Sequence, residues 1–169
     1  MIPILVSGIS VGIAAVSLAF SILSWRHTNR PIIYARVSTA AGGNAGIALN
    51  ILIENVGNRP AINIRIIASE ANVKAALSGD SPDIEFPIDA KRCFFDGIRI
   101  PVLANGKSTS NAFGHLGQQE GSWQPGAEIP IIIKYGDLGR RKFTSKMNLL
   151  LADDAGFAQT FWGDGHKHG

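Results

Sequence analysis

The first 25 residues, MIPILVSGISVGIAAVSLAFSILSW, hold no charged side chain, and Arg26, His27 and Arg30 follow at once. No other stretch limits the possible folds as much. At about 1.5 Å per residue, a helix of that length exceeds the roughly 30 Å hydrocarbon core of a bilayer. Residues 1–25 are therefore expected to form one transmembrane helix, with 26–31 as a short juxtamembrane linker. A secretory signal would want a positive n-region, a shorter apolar core and a small-x-small cleavage site. This run has only its terminal amine, is longer, and closes on Leu23-Ser24-Trp25. Arg26 and Arg30 lie after the run and no Lys or Arg lies before it. The positive-inside rule then puts the C-terminal side in the cytoplasm, and a bacterial inner membrane is the expected location.

The same run has a patterned surface. Gly8, Gly12, Ala15 and Ala19 recur at helical spacing, a stripe of small residues that lets a second helix approach closely. Homo- or hetero-oligomer formation through that face is expected. Ser10, Ser17, Ser21 and Ser24 make a second stripe, whose hydroxyls can bond back to the preceding turn.

Of the 169 residues, about 140 follow the linker, the size of one domain. The formal net charge is only +3, and Arg140-Arg141-Lys142 is the one basic run of three. That footprint is too weak for a nucleic-acid partner; solvated charge is its ordinary role, with a phosphate or lipid-headgroup contact open to it if that end faces the membrane. The lone Cys93 cannot close an internal disulfide, and in Cys93-Phe94-Phe95 it reads as a buried small hydrophobe.

Period-2 alternation dominates the rest. Residues 32–38 read as a strand with Ile33, Ala35 and Val37 on one side, followed by a turn over 40–46. In 47–56, Ile47, Leu49, Ile51 and Ile53 share a face; in 61–68, Ile62, Ile64, Ile66 and Ala68 do. Between these strands Gly57 and Asn58 are expected to take positive φ, with Pro60 marking the re-entry. Asn55, Gly57, Pro60, Ala61 and Asn63, flanked by strands, resemble the strand-turn-strand segment of CARDB-like bacterial immunoglobulin-like domains carried by single-pass membrane proteins. The resemblance covers about 25 residues together with the layout of a helix followed by a sandwich. It implies a β-sandwich used for adhesion, assembly or scaffolding and brings no catalytic residue with it.

Residues 70–91 are irregular, with one or two helical turns at 73–77. Asp80, Asp83, Glu85 and Asp89 match no calcium-loop spacing. Residues 94–103 read as a strand broken near Gly97 and Pro101, and 104–107 as a tight turn to a returning strand at 108–113. A glycine-rich loop over 114–126 carries Trp123, read either as a lid on the core or as a binding anchor. Two strands at 129–135 and 142–151 bracket a turn, with Pro130 arguing for an edge position. Residues 157–162 offer a last short strand, and 163–169 a tail whose His166, His168 and Asp164 are too few and too free to hold a metal.

The fold class expected is mainly β, an immunoglobulin-like antiparallel β-sandwich of seven or eight strands over 32–162, preceded by the transmembrane helix. No nucleotide, zinc, metalloprotease or serine-hydrolase motif occurs, so no catalytic residue and no cofactor is expected. The expected function is that of a non-enzymatic, membrane-anchored assembly or interaction subunit. Its partners would be the lipid bilayer, another helix and an unidentified protein, with Trp123, Arg140, Arg141 and Lys142 as candidate binding residues. The alternatives are a surface or periplasmic glycan- or peptide-binding module and a membrane-perturbing effector triggered by clustering.

Overall fold

The computed structural model describes residues 2–43, 46–79, 86–97 and 99–155, and the side chains of the first helix from Gly12 onward. Helix α1 spans Ile2–Thr28 without interruption. Ser21 Oγ and Thr28 Oγ1 donate back to the carbonyls of Ser17 and Ser24, so these hydroxyls cost an apolar surrounding little. From Gly12 to His27 every side chain of α1 is exposed, and Ile13, Val16, Leu18, Phe20, Ile22, Leu23 and Trp25 are uncovered on all sides. Among the described residues no helix is long and apolar enough to cross a membrane.

Seven strands follow among the described residues: β1 Ile33–Gly43, β2 Gly46–Asn55, β3 Ala61–Ala68, β4 Ile100–Leu103, β5 Ser108–Leu116, β6 Glu128–Gly136 and β7 Lys142–Leu150. They form two antiparallel sheets, in the orders β1-β2-β5 and β4-β3-β6-β7, packed face to face as a β-sandwich. The chain changes sheet between β2 and β3, between β4 and β5, and between β5 and β6. Alternation makes the core: Ile33, Ala35, Val37, Leu49, Ile51 and Ile53 point inward from the first sheet, and Ile64, Ile129, Ile131, Ile133 and Leu149 from the second. Each such valine, leucine or isoleucine contributes about 1.5–3 kcal/mol by leaving water.

Several sequence expectations are corrected here. β1 runs on to Gly43 with a bulge between Thr39 and Ala41, so the turn expected over 40–46 is shorter. In β3, Asn63 has φ 52° and the register shifts between Ile62 and Arg65. A bulge adds a residue and reverses side-chain parity beyond it, so Ala61 rather than Ile62 is buried on the near side while Ile64 and Ala68 remain inside. Phe94 and Phe95, expected to open a strand, are helical instead: α3, Ile88–Ala90, continues into a π turn at Lys91–Phe95. Aromatic packing accounts for this, because the turn brings Phe94 edge-on to buried Phe113 at 5.6 Å and Phe95 against Phe86 at 5.2 Å. The turn at 104–107 crosses from one sheet to the other and does not close a hairpin. β6 is an interior strand, with β3 and β7 on its two sides; yet β3 pairing ends opposite Ile131, so at Pro130 only β7 is alongside and no ladder bond is lost. The strand expected at 157–162, the tail, and Asp80, Asp83 and Glu85 lie outside the described residues.

A short helix, α2, Glu70–Ala75, starts on Ser69, whose Oγ accepts from Asn72 N at 3.2 Å. It lowers Val73, Ala76 and Leu77 onto the end of the core remote from α1, beside Trp123.

Candidate functional site at the helix exit

The segment leaving α1 is gripped by both sheets. On the first sheet, β2 ends at Asn55, which is 1% exposed and uses its whole amide. Its Oδ1 accepts from Ile32 N at 3.3 Å and Gly57 N at 3.1 Å, and its Nδ2 donates to Arg59 O at 2.7 Å and Leu103 O at 3.0 Å. One side chain thus joins the helix exit, the β2–β3 turn and the end of β4. Two residues on, Gly57, like Asn58 after it, does not take the positive φ expected of it. It is glycine for space: a Cβ there would lie 2.3 Å from Ile32 N, 2.5 Å from Arg30 O and 2.7 Å from the Pro31 carbonyl carbon. Asn58 N donates to Arg30 O at 3.1 Å, and its side chain reaches Thr28 O at 3.4 Å. Arg59 lays its guanidinium over the Trp25 ring, 5.2 Å from the centroid.

On the second sheet, the turn between β6 and β7 is closed by an ion pair. Asp137 is 3% exposed; its Oδ2 accepts from Arg141 Nε at 2.6 Å and its Oδ1 from Arg141 N at 2.9 Å. Burial pushes the Asp137 carboxyl up, but the side-chain, backbone and charge interactions of Arg141, with the Gly139 N–H, outweigh it and hold the group below its ordinary 3.8. The rest of that guanidinium leaves the turn: Nη1 donates to Arg26 O at 3.3 Å and Nη2 to Asn29 O at 3.1 Å. A helix end presents unpaired carbonyls and partial negative charge, and a cation there satisfies both. Tyr135 Oη adds a contact to Pro31 O at 3.5 Å and to Ser145 Oγ at 3.2 Å.

The expected binding residues therefore separate. Arg141 is a structural clamp, whereas Arg140 and Lys142 beside it form no ion pair among the described residues. Trp123 is fully buried, stacked on Phe113 at 4.8 Å with its Nε1 donating to Phe113 O, so it is a lid on the core and offers no surface to a ligand. Gly12, Ala15 and Ala19 are on the exposed part of α1, and a Cβ at Gly12 would meet nothing within 4 Å. The surroundings of Gly8 lie outside the described residues, as do Asp164, His166 and His168. Asp137 and Arg59 escape the sequence reading; the spacing of Asp137 and Arg141, four apart across Gly139, is the signal that a loop-closing pair was available.

A second cavity, of about 200 Å³, opens between the sheets beside Ile51, Ile53, Ile64, Ile100 and Cys93. Cys93 is half-buried, and burial pushes its thiol up to about 11, with Asp89 adding to the shift and a hydrogen bond from Asn111 opposing it. Such a thiol is protonated and inert at neutral pH. Among the described residues no group of three metal-ligating side chains comes together.

A family model described as a domain of unknown function (DUF8453) matches residues 3–153. No curated protein and no solved structure matches the chain.

Proposed function

The chain belongs to the DUF8453 family, and from that premise we propose that it is a membrane-anchored, non-enzymatic interaction subunit. In this reading α1 is its transmembrane anchor, and its immunoglobulin-like sandwich is held against the membrane to receive a protein partner. The observation that carries it is the pairing of an uncovered apolar helix with a clamped exit. Large apolar side chains face outward on every side of α1 from Gly12 onward, and a helix hydrophobic all round needs an apolar surrounding. Its last turn is meanwhile held by Asn58 and Arg141, and the exit after it by Asn55, Tyr135 and Arg141, from both sheets. Counted whole in the sequence, the uncharged run of 1–25 is long enough to span a bilayer, although no helix among the described residues meets that measure by itself. The family match covers α1 and all seven strands together, which agrees with a helix that stays with the domain. The change of sheet after β2, β4 and β5 agrees with an immunoglobulin-like connectivity.

The test is fractionation of cells making the full chain, with alkaline carbonate extraction of the membranes, followed by crosslinking in the membrane. The chain should stay in the carbonate-washed pellet, leave it with detergent, and give a crosslinked species that Gly8→Leu with Gly12→Leu abolishes. Recovery in the carbonate supernatant would overturn the anchor. An unchanged crosslinking pattern would overturn association through the small-residue face.

A further inference from the structure

The helix-proximal end of the second sheet carries a groove of about 410 Å³ that the clamp leaves open. Lys134, Arg140, Arg141 and Lys142 line it, with Lys134 and Lys142 on the exposed face of the sheet and Tyr135 and Phe143 turned to the inner face beneath them. These two rings stack at 5.5 Å, and Arg141 lies over Phe143 at 5.6 Å, so the sheet end that carries the groove is fixed from below. Asp137 is the one carboxylate in the lining, and it is occupied by Arg141. Lys134, Arg140 and Lys142 have no ion pair among the described residues. Three cations without an ion pair among the described residues therefore share the helix-proximal end of one exposed sheet face. The groove begins at the same Arg141 whose guanidinium reaches Arg26 O and Asn29 O at the end of α1.

We propose that this groove seats the phosphate headgroup of an anionic phospholipid from the membrane that holds α1. The proposal rests on the reading of α1 as a membrane anchor. Charge selects the occupant: cations held beside a membrane surface attract anionic lipid, and a phosphodiester accepts from three donors at once. Place selects it too, because a lipid lying along the end of α1 can present its headgroup to Arg140 and Lys142.

The experiment uses the full chain in nanodiscs of phosphatidylcholine, alone or with phosphatidylglycerol, and follows hydrogen exchange across residues 134–144. Phosphatidylglycerol should slow exchange there by about tenfold, equivalent to ~1.4 kcal/mol of local protection. The triple variant Lys134→Gln, Arg140→Gln, Lys142→Gln should erase that difference, and so should high salt. Arg141 is left in place so that the clamp survives, and an unchanged melting temperature of the triple variant checks that it does. Inorganic phosphate with phosphatidylcholine discs separates the two sources of the anion: protection by phosphate alone would overturn the lipid in favour of a soluble phosphate. Equal exchange in the two kinds of disc would overturn the groove while incorporation of the chain upheld the anchor. Failure to incorporate would overturn both.

Discussion

At the residue scale, Gly57 is where sequence and structure meet most sharply. Asn55, Gly57 and Pro60 were legible as a turn between two strands, but local sequence carries no information about which distant backbone the turn touches. Ile32, Pro31 and Arg30 arrive there from more than 20 residues upstream, so the glycine reads as a φ requirement when it is a space requirement. The two requirements differ in cost. Gly57→Ala forces the helix exit off the sandwich and should destabilise the chain by about 3 kcal/mol or more. Gly106→Ala, at φ 66° with open space around it, pays only the left-handed penalty of roughly 1–2 kcal/mol. Thermal melts of the two variants in detergent check this; an equal or smaller loss at Gly57 would remove the close-approach argument. Asp137 gives a pH signature. Its carboxyl is held below 3.8 in the folded chain, so the stabilisation it supplies is complete above that value and fades as pH falls below it toward the folded pKa. Asp137→Asn should therefore be about 2 kcal/mol less stable than the parent at neutral pH, with the gap closing in strong acid. Urea denaturation across a pH series measures it, and a gap independent of pH would assign the loss to shape alone.

At the element scale, the strands that alternate cleanly were legible: β1, β2 and β6 bury the faces their period announces. Their neighbours were less so, for two physical reasons. In β3 a single left-handed residue, Asn63, reverses the parity that periodicity assumes to be constant. An asparagine tolerates that conformation better than the isoleucines around it, but nothing local says that it must adopt it. In 88–95 the run Cys93-Phe94-Phe95 looks extended because aromatic residues favour strands. Tertiary contact overrides that preference: Phe94 meets Phe113 and Phe95 meets Phe86 only if the chain coils over the open side between β4 and β5. The 104–107 turn illustrates the same limit. Asn105-Gly106 marks a tight reversal, and the sequence does not say whether the strands it joins share a sheet or face each other across the core.

At the scale of the whole molecule, the clamp decides what the helix can report about the sandwich. Loose tethering would let the domain turn freely beneath α1, whereas contacts from Asn55, Asn58, Tyr135 and Arg141 fix one end of the sandwich at the helix exit. That fixed end carries Arg59, Arg140, Arg141 and Lys142 close to Arg26 and Arg30 of the flank. If α1 anchors the chain as proposed, an orientation with basic flanks on the cytoplasmic side and a cationic end against an anionic leaflet satisfies both demands at once. Topology is thus the measurement with the widest consequence, and the fold selects its probe. Cys93, with its thiol pushed up to about 11 and half-buried, is a poor one: only about one thiol in 10⁴ is ionised at pH 7. Glu120 is exposed in the loop after β5, beyond the end of that strand paired with Ile47 and so remote from the helix exit. A Glu120→Cys variant that also carries Cys93→Ala should react with a membrane-impermeant maleimide only after the cells are permeabilised. Reaction in intact cells would reverse the orientation and detach the cationic end from any cytoplasmic leaflet. The groove at Lys134, Arg140 and Lys142 would then have to find its anion on the opposite face of the membrane.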